Sequence, residues 1–205
     1  MISQTEFINA ALKLKIHLIL LLFFVFAGMA ESQNADINML RKINVHRNTK
    51  LDGTMKAITW TVPVFCPVVP LGNIGMGFYN NDKTLTRQGV VAGSSVLLAL
   101  GISTGFKFAI KRKRPFVTYD DIQKETKAGP FSFPSGHTTS AFALATAYSL
   151  AYPKWYVIAP AYLYAGAVAW SRMHLGVHYP TDVLAGILIG AGSSLLCYQV
   201  QKGIK

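Results

Sequence analysis

The stretch SRMHLGVHYPTDVLAG sets Arg172, His178 and Asp182 within eleven residues, just before or at the start of an apolar run. Pro180 suits the first turn of a helix, so Asp182 is predicted to lie where it reaches back toward His178. A carboxylate on one imidazole nitrogen fixes the tautomer and leaves the other nitrogen bare, as a base, a nucleophile or a metal ligand. The spacing of four between His174, His178 and Asp182 raises zinc as one option. Gly176 and Pro180 interrupt a continuous ligand face, however, and no third strong ligand stands at a familiar metal spacing. The reading therefore assigns no metal and no cofactor, and treats His174 as structural or supporting.

A second corner, GPFSFPSGHTTSAFAL, runs a polar turn straight into an apolar segment. Ser135 is predicted to cap the helix that follows, and Gly136 to let the backbone approach a ligand closely. The free N–H groups at that helix start make an anion site, with His137 beside it as a proton donor. The plainer alternative is an N-cap with an incidental histidine. The third stretch is KFAIKRKRP, in which Lys107 precedes Arg114 by seven residues, with Lys111, Arg112 and Lys113 between them. Seven residues is about two helical turns, so Lys107 and Arg114 share one face if the segment is helical. The alternative is a basic stop at a membrane surface. Together the stretches offer three fixed cations, backbone donors, an oriented histidine and a second histidine, an inventory that suits phosphoryl transfer through a phosphohistidine.

The elements that must position these groups are apolar. Of 205 residues, 51% are hydrophobic and only 14% charged, yet the formal charge is +11, so the cations must meet something anionic: nucleic acid, lipid headgroups or a phosphorylated substrate. Lys13 and Lys15 precede the run 16–27, which ends in small residues, so 1–30 reads as a signal peptide or a first transmembrane helix. Apolar stretches follow at 56–80, 88–108, 138–152, 155–170 and 183–200; the third and fourth are the weakest, although small residues such as Gly166 suit close helix contacts. Period-2 alternation is absent over any useful length. The expected fold is an all-α integral membrane helix bundle with about six transmembrane helices, or five if the first segment is cleaved. Residues 31–205 are expected to form a single domain with catalytic loops 107–137 and 171–182. Alternation from the first segment puts those loops outside the cytoplasm, against the usual positive-inside bias. Cys66 and Cys197 sit in apolar runs and say little about redox compartment.

The combination resembles the type 2 phosphatidic acid phosphatase superfamily. Its signature is a Lys, six residues and Arg-Pro; then Pro-Ser-Gly-His; then Ser-Arg, five residues, His, three residues and Asp. This chain reads Lys107 to Arg114-Pro115, Pro134-Ser135-Gly136-His137, and Ser171-Arg172 through His178 to Asp182, so every position is filled. The resemblance implies His178 as nucleophile, Asp182 as its orienting partner and His137 as general acid. Lys107, Arg114, Ser135, Gly136 and Arg172 would hold the transferring phosphate. Implied substrates are phosphatidylglycerophosphate, phosphatidic acid, an isoprenyl pyrophosphate or a lipid A phosphate, met at the bilayer, with no nucleic acid involved. The expected location is a bacterial cytoplasmic membrane, with the site on its periplasmic or extracellular face. Alternatives sharing the constellation are a soluble periplasmic acid phosphatase and a vanadium-dependent haloperoxidase. A non-catalytic anion-binding protein is a third, although binding alone requires no oriented histidine. Asp120, Asp121 and Glu125 fall outside the signature and read as a solvated loop.

Overall fold

The computed structural model describes residues 33–203. The chain divides after Asp36 into two units, Met1–Asp36 and Ile37–Lys205. Among the described residues the elements are all helical: α1 (Gln33–Asn44), a 3-10 turn (Thr49–Leu51), α2 (Asp52–Tyr79), α3 (Lys83–Ile110), the one-turn α4 (Pro115–Thr118), α5 (Gly136–Ala151), α6 (Trp155–His174) and α7 (Pro180–Gly203). Five of these match the expected apolar stretches. Helix α1 does not, because it lies between residue 30 and the first of those stretches at 56. It forms because Ile37, Leu40 and Ile43 recur at helical spacing and bury against Ile122, Met173, Tyr179 and Val183 at the catalytic end.

The expectation of about six spanning helices is not met. Among the described residues three helical stretches are long and apolar enough to cross a membrane, Thr49–Tyr79, Lys83–Thr118 and Pro180–Gly203. The expected first segment lies outside the described residues. Helix α5 has 16 residues, which at 1.5 Å each gives about 24 Å against a hydrocarbon core of about 30 Å. Helix α6 is longer, but its tryptophans and tyrosines, with Arg172 and His174 in the last turn, dilute its hydropathy.

Helix α5 is the axis of the bundle. Its alanines join Val62 and Cys66 of α2, Val96 and Ala99 of α3, and Ala165 and Val168 of α6 in one core. Small side chains let the backbones approach closely, which in a bilayer replaces the hydrophobic drive that water supplies. The α5–α7 seam is tight: a Cβ on Gly190 would lie 2.3 Å from the Thr139 carbonyl oxygen, and one on Gly186 2.9 Å from that of Ser135. Ser194 Oγ bonds across the seam to the Ala143 carbonyl at 2.7 Å. The seam therefore holds the start of α7, where Asp182 sits, against the start of α5, where His137 sits.

Candidate active site

The candidate site residues Lys107, Arg114, Ser135, Gly136, His137, Arg172, His178 and Asp182 lie at one end of the bundle, but not all by the expected route. Helix α3 stops at Ile110, and Lys111 ends it in the left-handed region with φ 51°. Lys107 and Arg114 therefore do not share a helical face. Lys107 stays on α3, and Arg114 sits in extended conformation ahead of Pro115, the first residue of α4. Within 111–114 the side chains alternate, with Lys111 and Lys113 exposed, Arg112 half-buried and Arg114 buried.

Lys107 Nζ donates to the carbonyls of Pro134 at 2.6 Å and Phe131 at 3.3 Å. Arg114 donates from Nε to the Gly129 carbonyl and from Nη1 to the Val177 carbonyl, both at 2.6 Å. Arg172 Nη1 donates to Thr59 Oγ1 of α2 at 2.5 Å, while its buried Nε has no partner among the described residues. A buried guanidinium with an unused donor is unusual enough to ask for an acceptor, and an oxyanion is the natural one.

Ser135 stands at the N-cap of α5, yet its hydroxyl does not cap the backbone. It bonds Thr138 Oγ1 at 2.9 Å instead, correcting that expectation. Its N–H donates to the Asp182 carbonyl at 3.0 Å, tying the turn to α7. The flank of Gly136 faces the Lys107 side chain and Ser103 Oγ, each 4.0 Å from where a Cβ would stand.

His178 is buried, with Nδ1 3.4 Å from Asp182 Oδ2 and Nε2 3.3 Å from Arg114 Nη1. As expected, α7 starts at Pro180 and Asp182 faces back toward His178. Burial, then the charges of Arg114, Arg172 and Lys107, hold His178 well below the usual imidazole range, so it is neutral. His137 is pushed down to about 3, by burial first and then by Arg172, Arg114 and Lys107. Both rings lie in a field that favours an incoming anion.

Several contacts lay outside the sequence reading. Arg112, taken there as one residue of a basic run, donates to Asp182 Oδ1 at 2.7 Å. His174 turns away from His178 and pairs through Nε2 with Asp52 Oδ1 at 2.7 Å. Asp52 also takes Arg47, which reaches Glu125 at 2.9 Å, and Lys56 takes the other Glu125 oxygen at 3.0 Å. Asp121 pairs with Arg41 at 2.7 Å, so Asp121 and Glu125 anchor their loop and are not simply solvated. Asn44 closes the arrangement, bonding Gln123 and the His174 carbonyl. Gly176, at φ 70°, lies so close that a Cβ would stand 2.2 Å from the Gln123 carbonyl oxygen. One signal in the sequence pointed to Arg112: it is two residues from Arg114, which puts both on one side once the chain is extended.

A cavity of about 740 Å³ opens between α2 and α3. Pro63, Pro67, Pro70 and Ile74 line one wall, Val90, Leu97 and Leu100 the other, and Gly136, His137 and Ser140 form its polar end.

The family model described as PAP2 superfamily matches residues 88–205. The chain is 28% identical over 192 residues to an undecaprenyl-diphosphatase of Sulfolobus acidocaldarius, covering 92% of this chain and 89% of that one. It is 27% identical over 175 residues to a lipid A 4'-phosphatase of Porphyromonas gingivalis, covering 80% and 71%. Among solved structures it is similar to the first transmembrane PAP2 type phosphatidylglycerolphosphate phosphatase from Bacillus subtilis, with TM-score 0.74, 26% identity, and 93% of this chain and 96% of that one covered.

Proposed function

Because this chain belongs to the PAP2 superfamily, we propose that it removes a phosphate from a membrane lipid through a phosphohistidine formed on His178. It is an integral membrane phosphatase, and the relatives named above act on an isoprenyl diphosphate, a lipid A phosphate and a phosphatidylglycerol phosphate. The observation that carries the lipid reading is the apolar cavity ending at Gly136 and His137. A tail lying between α2 and α3 would deliver its phosphate to that end.

With Nδ1–H facing Asp182, His178 carries its lone pair on Nε2, the nitrogen beside Arg114. Phosphate oxygens would take over Arg114 Nη1 and the unused Nε of Arg172, with Lys107 and the N–H groups at the start of α5 completing the cradle. Nε2 attacks phosphorus, and the bond to the leaving oxygen breaks. His137 protonates that oxygen, then takes a proton from the water that hydrolyses the N–P bond. In the free protein His137 is neutral, because burial and three cations disfavour its charge. A bound phosphate reverses that field, so the substrate brings its general acid into the charged form.

We place this end of the bundle on the outer face of the cytoplasmic membrane. Many of its cations are committed: Arg41, Arg47 and Lys56 to ion pairs, Lys107, Arg114 and Arg172 to the site. They therefore weigh less in the positive-inside count than Lys83, Lys154 and Lys202 at the other end. Phosphate release across a panel of diacyl, isoprenyl and lipid A phosphates tests the activity. Absence of acid-quenched phosphohistidine from the parent protein would overturn the mechanism. A cysteine at Thr126, with Cys66 and Cys197 replaced, should react with an impermeant thiol reagent in intact spheroplasts, and one at Lys154 only after the membrane is opened. The reverse pattern would place the site in the cytoplasm.

A further inference from the structure

Asp182 is completely buried, and its carboxylate is gripped at both oxygens. Oδ2 accepts the Tyr179 N–H at 2.9 Å and faces His178 Nδ1. Oδ1 accepts Arg112 Nη1 at 2.7 Å, and the same nitrogen donates to Thr181 Oγ1 at 2.7 Å. The guanidinium lies over the Tyr179 ring, 3.9 Å from its centre. Three anchors thus fix the Arg112 group, and it meets the carboxylate on the oxygen that His178 does not use.

The charged groups around Asp182 show why such a grip is needed. Besides Arg112 and His178, it feels Lys107 of α3 and Arg114 ahead of α4, and both belong to the phosphate cradle. A buried carboxylate free to rotate would turn toward those cations. Doing so would fill the place of the phosphate and leave His178 Nδ1 without an acceptor. Arg112 competes for the carboxylate from the opposite oxygen, and its planar fork and ring stacking suit a fixed orientation better than an ammonium would.

We propose that Arg112 is a positioning residue for the nucleophile: it keeps the Asp182 carboxylate on His178 and out of the phosphate cradle. This rests on the phosphohistidine reading. It assigns Arg112 no contact with substrate, so its loss acts on the tautomer of His178 and not on phosphate affinity. A histidine whose Nδ1 proton has lost its acceptor populates the tautomer with the proton on Nε2, where it blocks attack.

The test compares the parent with Arg112→Gln, Arg112→Lys, Asp182→Asn and the double variant Arg112→Gln/Asp182→Asn, all in detergent with a labelled lipid phosphate. Arg112→Gln should lower kcat about 100-fold and leave KM within about twofold, since a wrong tautomer affects turnover and not ground-state binding. Arg112→Lys, which keeps the charge, should recover about tenfold of that loss. In the Asp182→Asn background the Gln substitution should change kcat by less than about twofold, because its route of action is already gone. Nitrogen NMR of the His178 ring should show the proton moving from Nδ1 toward Nε2 in Arg112→Gln. A loss equal in both backgrounds, a large rise in KM, or an unchanged ring tautomer would each overturn the assignment. If the parent itself forms no phosphohistidine, the functional reading has failed; if it does and Arg112→Gln leaves kcat intact, only the role of Arg112 has failed.

Discussion

The α5–α7 seam and the α2–α3 pair use similar residues to opposite ends. In the seam, Gly186 and Gly190 bring two backbones together until a single added carbon would collide. The α2–α3 pair is equally tight at Gly77 and Gly89. A gap nonetheless opens between these helices, and the cavity in it ends at Gly136, His137 and Ser140. The difference teaches a division of labour. Groups that must hold their geometry, Asp182 and His178, stand beside dense packing, whereas His137 stands where the dense part meets the gap. A lipid phosphatase needs both, since its chemistry tolerates little displacement while its substrate arrives sideways from the bilayer.

The comparison is most severely tested by His178→Ala, which removes the proposed attacking atom from the dense side. Turnover should fall by at least about 10⁴-fold, with no phosphohistidine trapped after acid quench. Extraction yield should be nearly unchanged. A variant retaining substantial turnover would move the nucleophile elsewhere.

At the boundary between the two regions, His137 should respond to anion and not to pH alone. Burial and the three cations depress its proton affinity, so acidification through 6.5 should leave its ring neutral in the free protein. Vanadate, which resembles five-coordinate phosphorus, should bring the ring to the charged form at the same pH. Histidine NMR in detergent reads both states, and a ring already charged near pH 6.5 without anion would refute the sign of this field.

Within the seam, Gly190→Val should lower unfolding stability by about 1–3 kcal/mol through overpacking, and should lower kcat as the start of α7 shifts. In the gap, Leu97→Trp should cost no stability. By excluding about two methylenes of a tail, at about 0.8 kcal/mol each, it should raise KM for a long-chain substrate about tenfold. Hydrolysis of a short soluble phosphate should be unaffected. Equal effects on both substrates would mean that the gap does not hold the tail. The smallest effect is expected at Lys111, whose φ of 51° strains a side chain that touches neither region. Lys111→Gly should raise the thermal midpoint slightly, by the equivalent of about 0.5 kcal/mol, with kcat unchanged.

The residue types of the site were readable because phosphoryl transfer demands a particular set at particular short spacings. His178 and Asp182 are four apart with a proline between them, so local geometry alone foretold that they would meet. The helices were readable because apolar runs of that length have few other uses. The number of spanning helices was not, since hydropathy marks burial without saying whether lipid or protein does the burying: α5 is apolar because it is the axis of the bundle. The shared helical face expected for Lys107 and Arg114 does not form, because a helix end at Ile110 leaves no trace in a spacing of seven.

Contacts between distant segments needed the folded chain. Thr59 against Arg172 spans 113 residues and Asp52 against His174 spans 122. A spacing rule reaches only as far as one helix or turn, while a buried polar group takes whatever partner the packing brings to it. The sequence by itself determined which groups could transfer a phosphate and that apolar helices would carry them. Only the tertiary structure decided that Arg112 would grip the far oxygen of Asp182, that His174 would serve α2, and that the cavity would end at His137. Those outcomes depend on where helices cross, and crossing points are set by the summed packing of many small side chains.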